Sequence, residues 1–139
     1  MRILVVEDET EVRELVETIL SDAGFAVASA SDGAAALQII EADAVNLVVV
    51  DMRLPGGLNG LETVRQARVR RTDLKALFIS GVEPILTRRD PNLDDFVSKP
   101  FSGREFLGCV FELLLRNSDD RQLHSIRSLL PDDLFVNQR

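Results

Sequence analysis

Apolar positions along the 139-residue chain fall into short runs separated by stretches with helical spacing. Residues 3–6, 25–28, 47–50 and 77–79 are short, apolar and mostly rich in β-branched side chains, as buried strands are, and Phe96-Val97 forms a weaker fifth run. Between them, Val12, Leu15, Val16, Ile19 and Leu20 recur at helical intervals. So do Ala35, Leu37, Ile39 and Ile40, and then Leu61, Val64 and Ala67. A last helix from Gly103 to about Arg116 carries Phe106, Leu107, Val110, Phe111 and Leu114 on one stripe. Strand then helix, five times over, with strands apolar enough to be covered on both faces, predicts an α/β fold: a doubly wound five-stranded parallel sheet with helices on both faces.

Punctuation fits this frame. Asp22-Ala23-Gly24 ends the first helix, Ser31-Asp32-Gly33 opens the second, and Pro55-Gly56-Gly57 breaks the chain after the third strand. The stretch from Glu83 to Asp95 holds Pro84 and Pro91 with little periodicity, so its helix is expected to be short or irregular. The expected division is one domain over 1–117 and a tail over 118–139. In that tail Leu123, Ile126, Leu130 and Leu134 follow helical spacing, interrupted by Pro131, as a short amphipathic helix would. It could pack on the domain, stay disordered, or serve docking or dimerisation.

A net charge of −7 disfavours unaided binding to nucleic acid or an anionic membrane, so the expected partners are proteins. Cys109 is the only cysteine, which excludes an intramolecular disulfide, and the first residues are too short an apolar run for a signal peptide. No stretch reaches the roughly 20 apolar residues needed to cross a bilayer. The expectation is a soluble, cytoplasmic protein, monomeric or weakly dimeric.

Ligands of open α/β sheets bind beyond the carboxyl ends of the strands. The residues there are Glu7, Asp8 and Glu9 after the first strand, Asp51 after the third, Ser80 after the fourth and Lys99-Pro100 after the fifth. Glu7, Asp8 and Asp51 would crowd three carboxylates into one pocket, a costly arrangement without a cation between them. Mg²⁺, which takes oxygen ligands and keeps several waters, suits such a set. A carboxylate held against that ion can attack a phosphoryl group and form an acyl phosphate, and Asp51 is best placed to do so. Ser80 could then donate to one phosphate oxygen and the Lys99 ammonium neutralise another.

Glu7-Asp8, Asp51 followed by Pro55 and Gly60, Ser80-Gly81 and Lys99-Pro100-Phe101 together resemble the signature of two-component response-regulator receiver domains (the CheY-like family) from Arg2 to about Arg116. The resemblance implies a flavodoxin-like fold with strand order 2-1-3-4-5 and an aspartyl phosphate at Asp51. Metal ligands would be Glu7 (partly through water), Asp8, Asp51 and the backbone carbonyl of Arg53. It also implies a cis Lys99–Pro100 bond and a switch in which phosphate draws Ser80 inward and Phe96 follows. Arg53 and Val82 would tune the lifetime of the phosphate. The partners implied are a histidine kinase or histidine phosphotransfer protein and a downstream protein target, with no DNA-binding domain expected here. Departures from the family pattern are a slightly longer 55–60 loop, the proline-broken fourth helix, and a phenylalanine where a tyrosine is common at 96.

Plainer readings exist for each feature. The acidic run could merely cap the first helix, Ser80-Gly81 could be a turn, and Phe96 could be a core aromatic; the joint placement at strand ends favours a site. Cys109 reads as a small buried hydrophobe and His124 as a surface residue. An aspartate-nucleophile phosphatase would want a second acid two residues after Asp51, where Arg53 stands. A flavin phosphate would be repelled by Glu7-Asp8-Glu9. A phosphorylation-independent interaction module on the same fold remains the alternative.

Overall fold

Neighbouring side chains of a strand point to opposite faces, so an unbroken apolar run needs cover on both sides. The structure is a computed structural model describing residues 1–81 and 90–131. Its elements run β1 (Arg2–Val6), α1 (Thr10–Asp22), β2 (Ala26–Ala30), α2 (Gly33–Ala42), β3 (Leu47–Asp51), α3 (Gly60–Ala67), β4 (Lys75–Ser80), β5 (Asp94–Ser98), α4 (Gly103–Leu115) and α5 (Asp120–Leu129). Every strand pairing is parallel, and the sheet order is β2-β1-β3-β4-β5. This is the doubly wound flavodoxin-like arrangement.

The alternation divides the core in two. Ile3, Val5, Leu47, Val49, Leu77 and Ile79 face Val16 and Leu20 of α1 and Phe106, Val110 and Phe111 of α4. On the other face Leu4, Val6, Val48, Val50, Ala76 and Phe78 meet Ala36 and Ile40 of α2 and Val64 and Ala67 of α3. Cover on both faces holds for β1, β3 and β4 but not for β2, an edge strand whose Ala26 and Ser29 are exposed. That strand also begins one residue later than its apolar run and extends to Ala30, because β1 pairs with it through to Val6. Likewise β4 reaches back to Lys75, two residues before the apolar run. Leu15 and Leu61, which fit the helical stripes by spacing, are exposed. The irregular helix expected over 83–95 lies largely outside the described residues; its last two positions, Asp94 and Asp95, open β5 instead.

Helix starts follow side-chain chemistry. Asp32, Asn59, Ser102 and Asp119 each accept a backbone N–H of the turn they open, and the last three form reciprocal pairs with Glu62, Glu105 and Gln122. Glu9, at the start of α1, makes no such bond. Gly24 closes α1 with φ of +99°, a conformation that favours glycine.

The chain beyond α4 turns through Asn117, at φ of +52°, into α5. Lys75 fixes that turn: its buried ammonium donates to the carbonyls of Leu114 at 2.8 Å and Arg116 at 2.6 Å, and to the Ser118 hydroxyl at 3.3 Å. Burial lowers the pKa of this ammonium, and the Arg116 charge lowers it further, against a smaller opposing pull from Asp73. Ile126 of α5 is fully buried in the α1–α4 core, and Leu129 lies against Gly24. His124 is exposed, while Cys109 is half-buried against the same core, its thiol pushed up to about 11 chiefly by burial. Ile126→Ala should therefore cost about 2–5 kcal/mol in urea unfolding, as for other buried aliphatic truncations; a helix lying loosely on the surface would give no measurable change.

Candidate functional site

Parallel strands end on one side of the sheet, and β1 and β3 are neighbours there while α1 and α3, which follow them, cover opposite faces. The gap this leaves at the strand ends is where an open sheet binds its ligands. Glu7 enters it directly from β1. Its N–H donates to the Ala30 carbonyl at 3.0 Å, and the residue is only 1% exposed. Asp51, the last residue of β3, is also buried, while Asp8 is exposed. One carboxylate oxygen from each of the three lies within 4.8 Å of the others, the one such acidic cluster among the described residues.

Lys99 reaches this cluster from the end of β5. Its Nζ lies 3.0 Å from Oδ2 of Asp51 and 3.2 Å from Oε1 of Glu7, and its backbone N–H donates to the Ser80 carbonyl at 2.8 Å. The Lys99–Pro100 peptide is cis. The second oxygen of each buried acid is held by the chain that follows it: Glu9 N–H donates to Oε2 of Glu7 at 3.2 Å and Arg53 N–H to Oδ1 of Asp51 at 2.9 Å.

The Glu7 carboxyl is raised from 4.5 to about 7, chiefly by burial and also by the Asp51 carboxylate, against opposing hydrogen bonds from the Glu9 N–H and Lys99. Burial alone would lower the Lys99 ammonium, but hydrogen bonds and charge from Asp51 and Glu7 outweigh this and hold its pKa above the ordinary value. Excess negative charge thus remains after Lys99 has paired with two of the three acids. Such a set can hold a hard cation and keep a carboxylate beside an ammonium, ready for a group bearing anionic oxygens.

Of the residues singled out by sequence, Glu7, Asp8, Asp51 and Lys99 meet in one cluster. Ser80 ends β4 beside them, buried. Arg53 is exposed in the loop after β3. Phe96 sits in the α2–α3 half of the core, partly buried, its ring stacked on Phe78 with centroids 5.1 Å apart. Val82 lies outside the described residues. A cleft of about 330 Å³ lined by Leu37, Ile40, Ala67 and Val69, among others, contains none of these residues, so the chemistry is not in an apolar ligand pocket.

Gly60, which the sequence marks only as part of the motif after Asp51, has a packing role at the site. Its N–H donates to the Met52 carbonyl at 3.1 Å, and a Cβ there would lie 2.2 Å from the Asp51 carbonyl oxygen. Only a hydrogen fits between α3 and the backbone of Asp51. The signal in the sequence was its place at the end of the Pro55-Gly56-Gly57 loop.

A family model, the response regulator receiver domain, matches residues 3–110. The chain belongs to the response-regulator receiver family. The response regulator MprA of Mycobacterium leprae is 35% identical to this receiver over 135 residues, covering 95% of the chain and 59% of that protein. MprA of Mycolicibacterium vanbaalenii is 38% identical over 123 residues, covering 86% and 53%. The receiver thus spans a little over half the length of these curated relatives. Among solved structures, a response regulator receiver protein of Sinorhizobium medicae superposes with a TM-score of 0.75 at 28% identity, covering 81% of this chain and 93% of its own. The response regulator TrrA of Thermotoga maritima, solved in complex with Mg²⁺–BeF, gives 0.72 at 31%, covering 81% and 98%. TrrA has also been solved in complex with the histidine kinase ThkA. No helix among the described residues is long and apolar enough to cross a membrane.

Gly60→Ala should destabilise this receiver by about 1–3 kcal/mol, the range for overpacking. Here the clash is with backbone and cannot be relieved by a rotamer change. Urea unfolding measures the loss, and amide shifts around Asp51 should report a displaced β3 terminus.

Proposed function

We propose that this receiver takes a phosphoryl group onto Asp51 in a Mg²⁺-dependent reaction, and that the modification switches a protein-binding surface. The observation that carries the reading is Lys99, whose ammonium touches both Asp51 and Glu7 with Asp8 alongside. Glu7, Asp8, Asp51 and the carbonyl of Arg53 would hold the ion. The donor set fits: three carboxylates within 4.8 Å, two of them buried, with excess negative charge. Bound there, Mg²⁺ would neutralise charge on the acids and on the incoming phosphoryl oxygens.

The rest falls to the chain itself. Oδ2 of Asp51 bonds to phosphorus as the bond from phosphorus to the donor breaks, and the donor leaves with that electron pair. Arg53 N–H orients the carboxylate through Oδ1. Lys99 is already at Oδ2 and can move onto a phosphoryl oxygen as the carboxylate charge is consumed. Ser80 sits at the neighbouring strand end to donate to another. The reaction is the receiver's own modification and demodification rather than turnover of a small substrate.

The donor in this reading is a histidine kinase or histidine phosphotransfer protein, supported by TrrA's complex with a kinase. The Mg²⁺–BeF complex of TrrA supports the ion. Ser80 and Phe96 would form the switch: Ser80 drawn toward the phosphoryl group leaves room behind it on β4, and Phe96 on β5, partly buried and stacked on Phe78, would turn toward that room. The readout is a protein target, met in the cytoplasm.

Incubation with acetyl phosphate should add one phosphoryl group to the intact mass in the presence of Mg²⁺ and none in EDTA, and Asp51→Asn should abolish the gain while leaving the circular dichroism spectrum unchanged. Full labelling of that variant would overturn the assignment of Asp51. A wild-type protein that binds no Mg²⁺ and gains no mass would favour an interaction module that works without phosphorylation.

A further inference from the structure

We propose that Arg13 is a positioning residue for the acidic cluster, clamping the peptide that joins Glu7 to Asp8 so that both carboxylates face the cation site. This rests on the Mg²⁺-dependent reading above. Arg13 lies in the first turns of α1, and its Nη1 donates to the Glu7 carbonyl at 2.9 Å. The N–H of Glu7 is already held by Ala30, so both backbone polar groups of this residue are tied, one to the sheet and one to the helix. Rotation of the Glu7–Asp8 peptide is thereby blocked, and the direction in which Asp8 leaves the strand is set by it.

The need for such a clamp follows from the start of α1. Among the described helices it is the one whose N-cap side chain makes no hydrogen bond, since Glu9 gives its backbone N–H to Glu7 and leaves its carboxylate uninvolved in capping. The turn from β1 to α1 therefore lacks the lock that Asp32, Asn59, Ser102 and Asp119 provide elsewhere. It must also carry three consecutive acids, whose repulsion favours splaying. Arg13 answers both demands. Its side chain is largely buried, its second amino group reaches the Thr10 hydroxyl at 3.4 Å, and its Nε lies 3.9 Å from the Glu17 carboxylate one turn on. Those weaker contacts orient the guanidinium along the helix and leave Nη1 directed at the carbonyl.

Arg13 touches no carboxylate of the cluster, so its effect must travel through the Glu7 backbone. A positively charged residue near a cation site would, by charge alone, weaken cation binding; positioning would strengthen it. The two effects have opposite signs, which makes the test decisive.

Calorimetric titration of the full chain with Mg²⁺ would compare wild type, Arg13→Met, which keeps the aliphatic stem but removes donor and charge, and Arg13→Lys, which keeps a charged donor. Arg13→Met should weaken Mg²⁺ binding about 10-fold or more, the range typical of residues that orient metal ligands from behind. Its urea midpoint in EDTA should match that of wild type, and Arg13→Lys should recover most of the affinity. Unchanged or tighter Mg²⁺ binding by Arg13→Met would overturn the inference, as would a lowered urea midpoint in EDTA with affinity intact, which marks a purely structural residue. If wild type itself binds no Mg²⁺, the functional reading falls and takes this inference with it. A wild type that binds while Arg13→Met binds equally well overturns the inference alone.

Discussion

Three carboxylates drawn to one end of two adjacent strands is an arrangement that electrostatics opposes, and the rest of the molecule is organised around holding it. Glu7 is almost fully buried, so its charge is stripped of water and its pKa rises to about 7. Lys99 meets that burden from the far side of the sheet, spanning from β5 to touch the acids that end β1 and β3. In the order β2-β1-β3-β4-β5, β4 lies between β3 and β5 and sets the span that the ammonium must cross to reach its partners. The two apolar layers are therefore more than cover: by fixing β1, β3, β4 and β5 in register they keep like charges close that would otherwise drift apart.

Much of this was legible in the amino-acid order. Apolar runs of strand length gave the parallel sheet, and reading the residues immediately after each run brought Glu7, Asp8, Asp51, Ser80 and Lys99 to one place, because strand direction alone decides which end gathers them. Helical spacing was less informative at the surface. Leu15 and Leu61 satisfy a periodic pattern yet point to solvent, since a period says which residues share a face and not which face is covered.

What escaped sequence reasoning is what depends on contact between distant segments. Gly60 earns its place only because the Asp51 carbonyl lies where its Cβ would be. Lys75 looks like a polar start to a strand, and nothing local shows that it will terminate α4 by taking two carbonyls from a helix some forty residues away. Ile126 sits in a polar stretch whose periodicity allowed several fates; the structure shows it completing the α1–α4 core. Each of these is a property of tertiary placement, for which a one-dimensional pattern carries no term.

The salt bridges of β5 bear on how this edge strand can move. Asp94 is gripped by Arg68 at 2.6 Å from the end of α3, and Asp95 by Arg116 at 2.7 Å from the end of α4, so consecutive residues are fastened to the two opposite layers. Edge strands have one strand neighbour and are ordinarily the first part of a sheet to fray. Here fraying is resisted at the N-terminal end by both layers at once, while the other end carries Ser98, exposed, and then Lys99. At that other end the Lys99 N–H donates to the Ser80 carbonyl at 2.8 Å, so β5 is tethered at both termini and the ammonium on which the acidic cluster depends swings from a fixed root.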